Sequence, residues 1–276
     1  MTPVTPARSV GLSVSRSISR SVCRGVGLML IVILAGSSLL AQRNLTVAAA
    51  ANLQPAVKEI AGKFEKQSGT HVALVFGSSG NLTTQIENGA PYDVFLSADM
   101  WYPERLASEG LGTRASLQRY AVGKLVLWAK KDSHIDLERL GERALLDPAV
   151  LKIAIANPAH APYGAAAVAY LKTANLRDQV NDQLVLGEDV AQTAQFVISG
   201  NAQVGIIPLS LALAPKMMET GSYYALKNAP TVEQGAIVLS KAADKLAAGK
   251  FLEFMKSPDA RAILQRYGYD LPGTKP

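Results

Sequence analysis

Leu45-Thr46-Val47-Ala48-Ala49-Ala50-Ala51-Asn52-Leu53 decides how the rest of the chain is read. Residues 45–49 form an apolar, partly β-branched run that reads as a buried strand. Asn52 reads as the N-cap of a helix over about 53–67. The same strand-to-helix step recurs where the run 71–76 meets Gly77-Ser78-Ser79-Gly80, which opens a helix to about Glu87. Residues 93–97 give a third strand, and Pro103 falls in the first turn of the next helix. Farther along, strand-like runs at 124–129, 152–156, 203–207 and 234–239 alternate with helical patterns at 136–140, 165–173 and 190–199. Two helices close the chain, the last capped by Ser257 with Pro258 at its first position. This alternation predicts an α/β fold with mostly parallel strands, in which ligands sit beyond the strand carboxyl ends. No long Pro/Gly linker follows residue 42, so two lobes require short crossings. These are expected around Tyr120-Ala121-Val122 and around Ala229-Pro230-Thr231.

Four loop-to-helix junctions stand out on this plan. They are Ala50-Ala51-Asn52-Leu53, Phe76-Gly77-Ser78-Ser79-Gly80-Asn81, Asn157-Pro158-Ala159-His160-Ala161-Pro162-Tyr163-Gly164 and Glu188-Asp189-Val190. A helix start leaves N–H groups unpaired and carries about half a positive charge, so it attracts a phosphate-like anion. None of the four contains Lys or Arg. An anion gathered here would be held by neutral donors, which suits release better than permanent capture.

Nearly half of the 276 residues are apolar and 18% are charged, an ordinary balance for a globular protein with one large or two medium domains. The first 41 residues differ: they hold Arg8, Arg16, Arg20 and Arg24, no acid, and then an apolar run over 25–41. That layout is a secretory signal peptide at residues 1–41, with an uncleaved membrane anchor as the competing reading. Setting the four Arg aside lowers the formal charge from +6 to +2, so no nucleic-acid partner is expected. Cys23, the single cysteine, lies in this leader. The exported chain would have no disulfide, thiol nucleophile or cysteine metal site, which fits a periplasmic protein.

Several segments taken in order carry a family resemblance over residues 43–270. They are Val47-Ala48-Ala49-Ala50-Ala51-Asn52-Leu53, Gly77-Ser78-Ser79 and Gly89-Ala90-Pro91-Tyr92-Asp93-Val94-Phe95-Leu96-Ser97-Ala98-Asp99. Asn157-Pro158 with Pro162-Tyr163-Gly164, Glu188-Asp189-Val190 and Arg266-Tyr267-Gly268-Tyr269 complete the set. Together they resemble the periplasmic molybdate-binding proteins of molybdate ABC transporters, a type II periplasmic solute-binding family. The resemblance implies two α/β lobes joined by two crossings, with the ligand in the cleft between them. Lobe 1 would be residues 42–121 plus 232–276, and lobe 2 residues 122–231. It implies an exported, non-enzymatic, monomeric protein that takes up molybdate and tungstate without a cofactor. No metal is expected beyond the oxyanion itself, and the partner is the membrane permease of an ABC importer. Position by position, the implied ligands are Asn52 through its amide and backbone N–H, Ser79 through hydroxyl and N–H, and the backbone N–H groups of Tyr163 and Val190. A fifth family ligand, a tyrosine hydroxyl, falls at Pro208, which has no donor. The large Tyr163 side chain is the candidate to close that gap.

Molybdate at neutral pH is a dianion with no proton to donate, so a matching site needs donors alone. Phosphate keeps a proton near neutral pH and gains from a buried acceptor. Sulfate does not, so a sulfate-binding protein of the same fold is the near alternative, separable by cavity size. The distant alternative is a secreted serine hydrolase using Ser79. Against it, the G-x-S-x-G pattern fails at Asn81, and a histidine base is needed. His160, inside one of the junctions, is the histidine close enough in sequence to be a candidate for a role at the rim or just behind the ligands. Asp93, Asp99, Glu188 and Asp189 read as caps rather than metal ligands, and Trp101 and Trp128 as packing residues.

Overall fold

The computed structural model describes residues 44–273. The leader expected at residues 1–41 lies outside them. Among the described residues no helix is long and apolar enough to cross a membrane.

The strands form two five-stranded sheets. The first contains β1 (Leu45–Ala50), β2 (Val72–Gly77), β3 (Val94–Ser97), β4 (Gln118–Gly123) and β10 (Val232–Val238), in the order β2-β1-β3-β10-β4. The second contains β5 (Leu125–Lys130), β6 (Ile153–Ala156), β7 (Leu184–Gly187), β8 (Val204–Pro208) and β9 (Gly221–Ala225), in the order β7-β6-β8-β5-β9. Each sheet is therefore a parallel trio extended by a strand of opposite direction and an edge strand.

Strand alternation places two apolar layers on the first sheet. Val47, Ala49, Val94 and Leu96 meet Val57, Ile60 and Phe64 of the helix Gln54–Ser68 and Phe251, Ile263 and Leu264 of the two C-terminal helices. Phe64 and Phe251 pack edge to face at 5.2 Å. On the other side, Ala48, Phe95 and Ile237 cover Leu82, Ile86 and Leu106. The second sheet has one large core around Trp128, Ile153, Ile155, Tyr170, Val197 and Ile206. Trp128 is fully buried, whereas Trp101 is 57% exposed, so only the first is a core residue.

Three expectations are corrected. Four of the five strands in each sheet point the same way, as expected, but the pairing is not mostly parallel: β10 and β5 run against both of their neighbours, so four of the eight strand pairs among the described residues are antiparallel. Both are reached from the other sheet without a helical crossover, so nothing imposes the βαβ direction on them. The first crossing lies two residues beyond the expected Tyr120-Ala121-Val122: Ala121 and Val122 still pair with Gln234 and Glu233, and the chain changes sheet at Lys124. Finally, Asn52 is not an N-cap. Ala51–Leu53 forms a 3-10 turn, and no side chain caps the helix that starts at Gln54. The Asn52 side chain has turned inward to buried partners instead.

Candidate functional site

Because β1, β2 and β3 are parallel, their carboxyl ends fall on one edge of the first sheet. The ends of β6 and β7 do the same in the second. These two edges enclose one small pocket. Its walls are Ala50, Ala51 and Asn52 after β1, Gly77, Ser78 and Ser79 after β2, and Ala98 after β3. From the other sheet come Ala161, Pro162 and Tyr163 after β6, with Asp189 and Val190 after β7. About 10 Å³ is free to the centre of a water molecule, which suits a compact ion and not a sugar or peptide. Asn52, Ser79, Tyr163 and Val190 all line it, two from each side.

Local sequence sets the donors. Ser78 caps the helix Ser79–Glu87 by accepting the Asn81 N–H at 3.3 Å, which makes Ser79 the first helical residue. The Ala98 N–H donates to Ser79 Oγ at 2.9 Å, so the hydroxyl proton is left for another acceptor. Asp189 caps the helix Val190–Ile198; its Oδ1 takes the N–H groups of Ala191 and Gln192 at 2.8 and 2.9 Å. Val190 is then the first residue of that helix, ahead of any intrahelical donor. Pro162 opens the helix Pro162–Thr173 without an N–H, and Tyr163 supplies the next one. No Lys or Arg lines the pocket. Its positive potential comes from helix starts alone, each worth about half a charge.

Behind this face lies a buried polar network. Asn52 Nδ2 donates to Gln234 Oε1 and to Tyr269 Oη, both at 2.8 Å. Gln234 Nε2 donates to the carbonyl oxygens of Ala98 and Val232 at 3.1 and 2.7 Å and to Tyr163 Oη at 3.4 Å. Ser210 Oγ donates to the Asn52 carbonyl at 2.8 Å. The amide expected to face the ligand is therefore engaged internally, as a nearly inaccessible amide must be. The backbone of Asn52 belongs to the 3-10 turn Ala51–Leu53, and Asn52 lines the pocket.

Tyr163 follows the same logic. Its hydroxyl abuts Gly123, where an added Cβ would lie 1.7 Å from Oη, and burial first, then Tyr269 and Tyr120, raises its pKa well above the usual phenol value. The side chain is packed into the rear network, with Oη 3.4 Å from Gln234 Nε2. Pro208 ends β8 opposite Leu125 and does not line the pocket.

His160 does not line the pocket but contacts Ser78, which does. Nδ1 lies 3.0 Å from Ser78 Oγ and Nε2 lies 3.2 Å from Glu188 Oε2. This Ser–His–acid chain involves Ser78, not Ser79, so the serine proposed as a nucleophile lacks its base. Asp93, Asp99 and Asp189 accept backbone N–H groups, Asp93 those of Thr46 and Ala243 at 2.8 and 2.7 Å, whereas Glu188 meets His160. Among the described residues no cluster of His, Cys, Asp or Glu could hold a metal ion.

Residues 45–270 match the family model of bacterial extracellular solute-binding proteins. The chain belongs to that family. The molybdate-binding protein ModA of Azotobacter vinelandii is 39% identical over 251 residues, covering 87% of this chain and 97% of that protein. ModA of Rhodobacter capsulatus is 35% identical over 246 residues, covering 88% and 95%. The solved structure of the Azotobacter vinelandii periplasmic molybdate-binding protein superposes with a TM-score of 0.77 at 35% identity, covering 83% of this chain and 99% of that one. The two-lobed α/β fold anticipated from the sequence is the fold of this solute-binding protein.

Sequence reasoning missed the rear network of this solute-binding protein. One signal was available for Gln234, which alternates with exposed Glu233 in an otherwise apolar strand and so faces inward. Ser210 and Tyr269 carried no comparable signal, because only the fold brings them to Asn52.

Proposed function

We propose that this solute-binding protein captures molybdate, and with it tungstate, for an ABC importer. The observation that carries the reading is the meeting of four helix starts, without a cation, around a pocket the size of one small ion. The bound oxyanion accepts from the N–H groups of Asn52, Ser79, Tyr163 and Val190 and from the Ser79 hydroxyl. Such charge-assisted bonds are roughly twice as strong as neutral ones. The similarity to two molybdate-binding relatives over nearly their whole length supports this choice among oxyanions.

Two lobes carry the donors. One is built on the first sheet and includes the C-terminal helices; the other is residues 125–231, with the hinge at Lys124 and in the loop 226–231. Because donors come from both, the ligand favours the closed arrangement only by its difference in affinity between open and closed forms. The chain acts as an exported, periplasmic monomer without catalysis, handing its cargo to a membrane permease.

Thermal unfolding of residues 42–276 with molybdate, tungstate, sulfate or phosphate added singly tests the reading. At about 100 times the dissociation constant, a ligand stabilises by roughly 2.7 kcal/mol. Stabilisation by molybdate and tungstate alone is expected. A response to sulfate alone would change the cargo and keep the fold, and a response to none would end the reading.

A further inference from the structure

We propose that His160 is a latch between the lobes that sets how long the closed cleft holds its ligand. The inference rests on the binding function proposed above. His160 lies between β6 and the helix Pro162–Thr173 of the second lobe, whereas Ser78 and Gly80 open the helix Ser79–Glu87 of the first. Two links join them across the cleft: the Gly80 N–H donates to the His160 carbonyl at 2.8 Å, and His160 Nδ1 lies 3.0 Å from Ser78 Oγ. A third contact stays within the second lobe, where Glu188 Oε2 holds His160 Nε2 at 3.2 Å and orients the ring toward Ser78.

The close approach depends on Gly80. A Cβ there would stand 2.6 Å from both His160 Cβ and Tyr102 Oη and 2.9 Å from His160 Cα. Bare backbone at this position lets the two lobes touch beside Ser79, the residue that faces the pocket.

None of these links needs the ligand, yet both cross-cleft bonds exist only when the lobes are together. They add to the free-energy difference between closed and open forms, so they act on ligand binding without touching it. An encounter with the open cleft does not involve them. Escape does, because pocket donors on both lobes must separate first. The effect therefore falls on the dissociation rate.

The test uses the chain from residue 42, which contains no cysteine. Stopped-flow release of molybdate is measured for the unsubstituted chain and for His160→Ala, His160→Asn and His160→Gln. In parallel, spin labels on Thr84→Cys and Gln195→Cys, exposed helical positions one on each lobe, report the interlobe distance without ligand. His160→Ala is expected to release ligand about tenfold faster, the loss of about one hydrogen bond, with association unchanged within about twofold. It also shifts the label distances outward. His160→Asn, whose amide nitrogen takes the place of Nδ1, restores slow release; His160→Gln, which reaches only toward Glu188, does not. Gly80→Ala opens the distance distribution further while retaining a cooperative melt. Release and distances of His160→Ala equal to those of the unsubstituted chain would overturn the latch. If the unsubstituted chain binds no oxyanion, the proposed function fails by itself, and the latch is decided by the label distances: an outward shift in His160→Ala upholds it and no shift ends it.

Discussion

Asn52 Nδ2 donates to Gln234 Oε1 at 2.8 Å, joining the turn that opens the first helix to the strand that returns from the second sheet. The bond ties a pocket-lining turn to the returning strand. Gln234→Ala would remove this acceptor and the donor to the Ala98 carbonyl, leaving buried polar groups unpaired. It should destabilise the protein by about 1–3 kcal/mol. Urea denaturation measures this directly, and a midpoint equal to that of the unsubstituted chain would refute the structural role.

Ser79→Ala addresses the ligand face. The hydroxyl accepts from the Ala98 N–H and has its own proton free for an anion, so its removal takes away a donor to a charged group. Oxyanion affinity measured by calorimetry should fall by about 1–3 kcal/mol. An unchanged affinity would mean that the serine is not a ligand.

Much of this was legible in the sequence because it is local. The apolar runs ending at Ala50, Gly77 and Ala156, each followed by small or capping residues, state both the strands and the helix starts beyond their carboxyl ends. What was not legible depends on distant partners. Asn52 looks like a cap in its own segment, and only the arrival of Gln234 and Tyr269 turns its amide inward. The direction of β5 and β10 likewise follows from how the chain changes sheets, which periodicity does not encode. Edge strand β9 was missed because Ser222, Tyr223 and Ala225 are exposed and show no apolar alternation.

Tyr163 separates backbone from side chain. Its N–H opens a helix at the pocket, while its hydroxyl lies beside Gln234 and Gly123. Tyr163→Phe should leave oxyanion affinity within about twofold and cost about 1 kcal/mol of stability, the worth of one buried hydrogen bond. Gly123→Ala should be more damaging, since the new methyl collides with Oη, and adding Tyr163→Phe should recover part of the loss. Paired calorimetry and denaturation on the three variants check this. A large affinity loss in Tyr163→Phe alone would place the hydroxyl in the site.

The same buried phenols predict an alkaline limit to stability. Burial raises the pKa of Tyr120 and Tyr163 well above the usual value, and Tyr269 is raised as well, chiefly by burial. The folded form therefore keeps these protons over a range where the unfolded chain, with its phenols near pKa 10, has begun to lose them. With more protons bound in the native state, unfolding becomes easier as pH rises. Their stabilising contribution is complete below about pH 10 and is lost as pH climbs toward the raised folded values. Tyrosinate absorbance followed together with circular dichroism should show these three phenols ionising only in step with loss of helix. Their complete ionisation with the secondary structure intact would show that the network behind Asn52 is open to solvent.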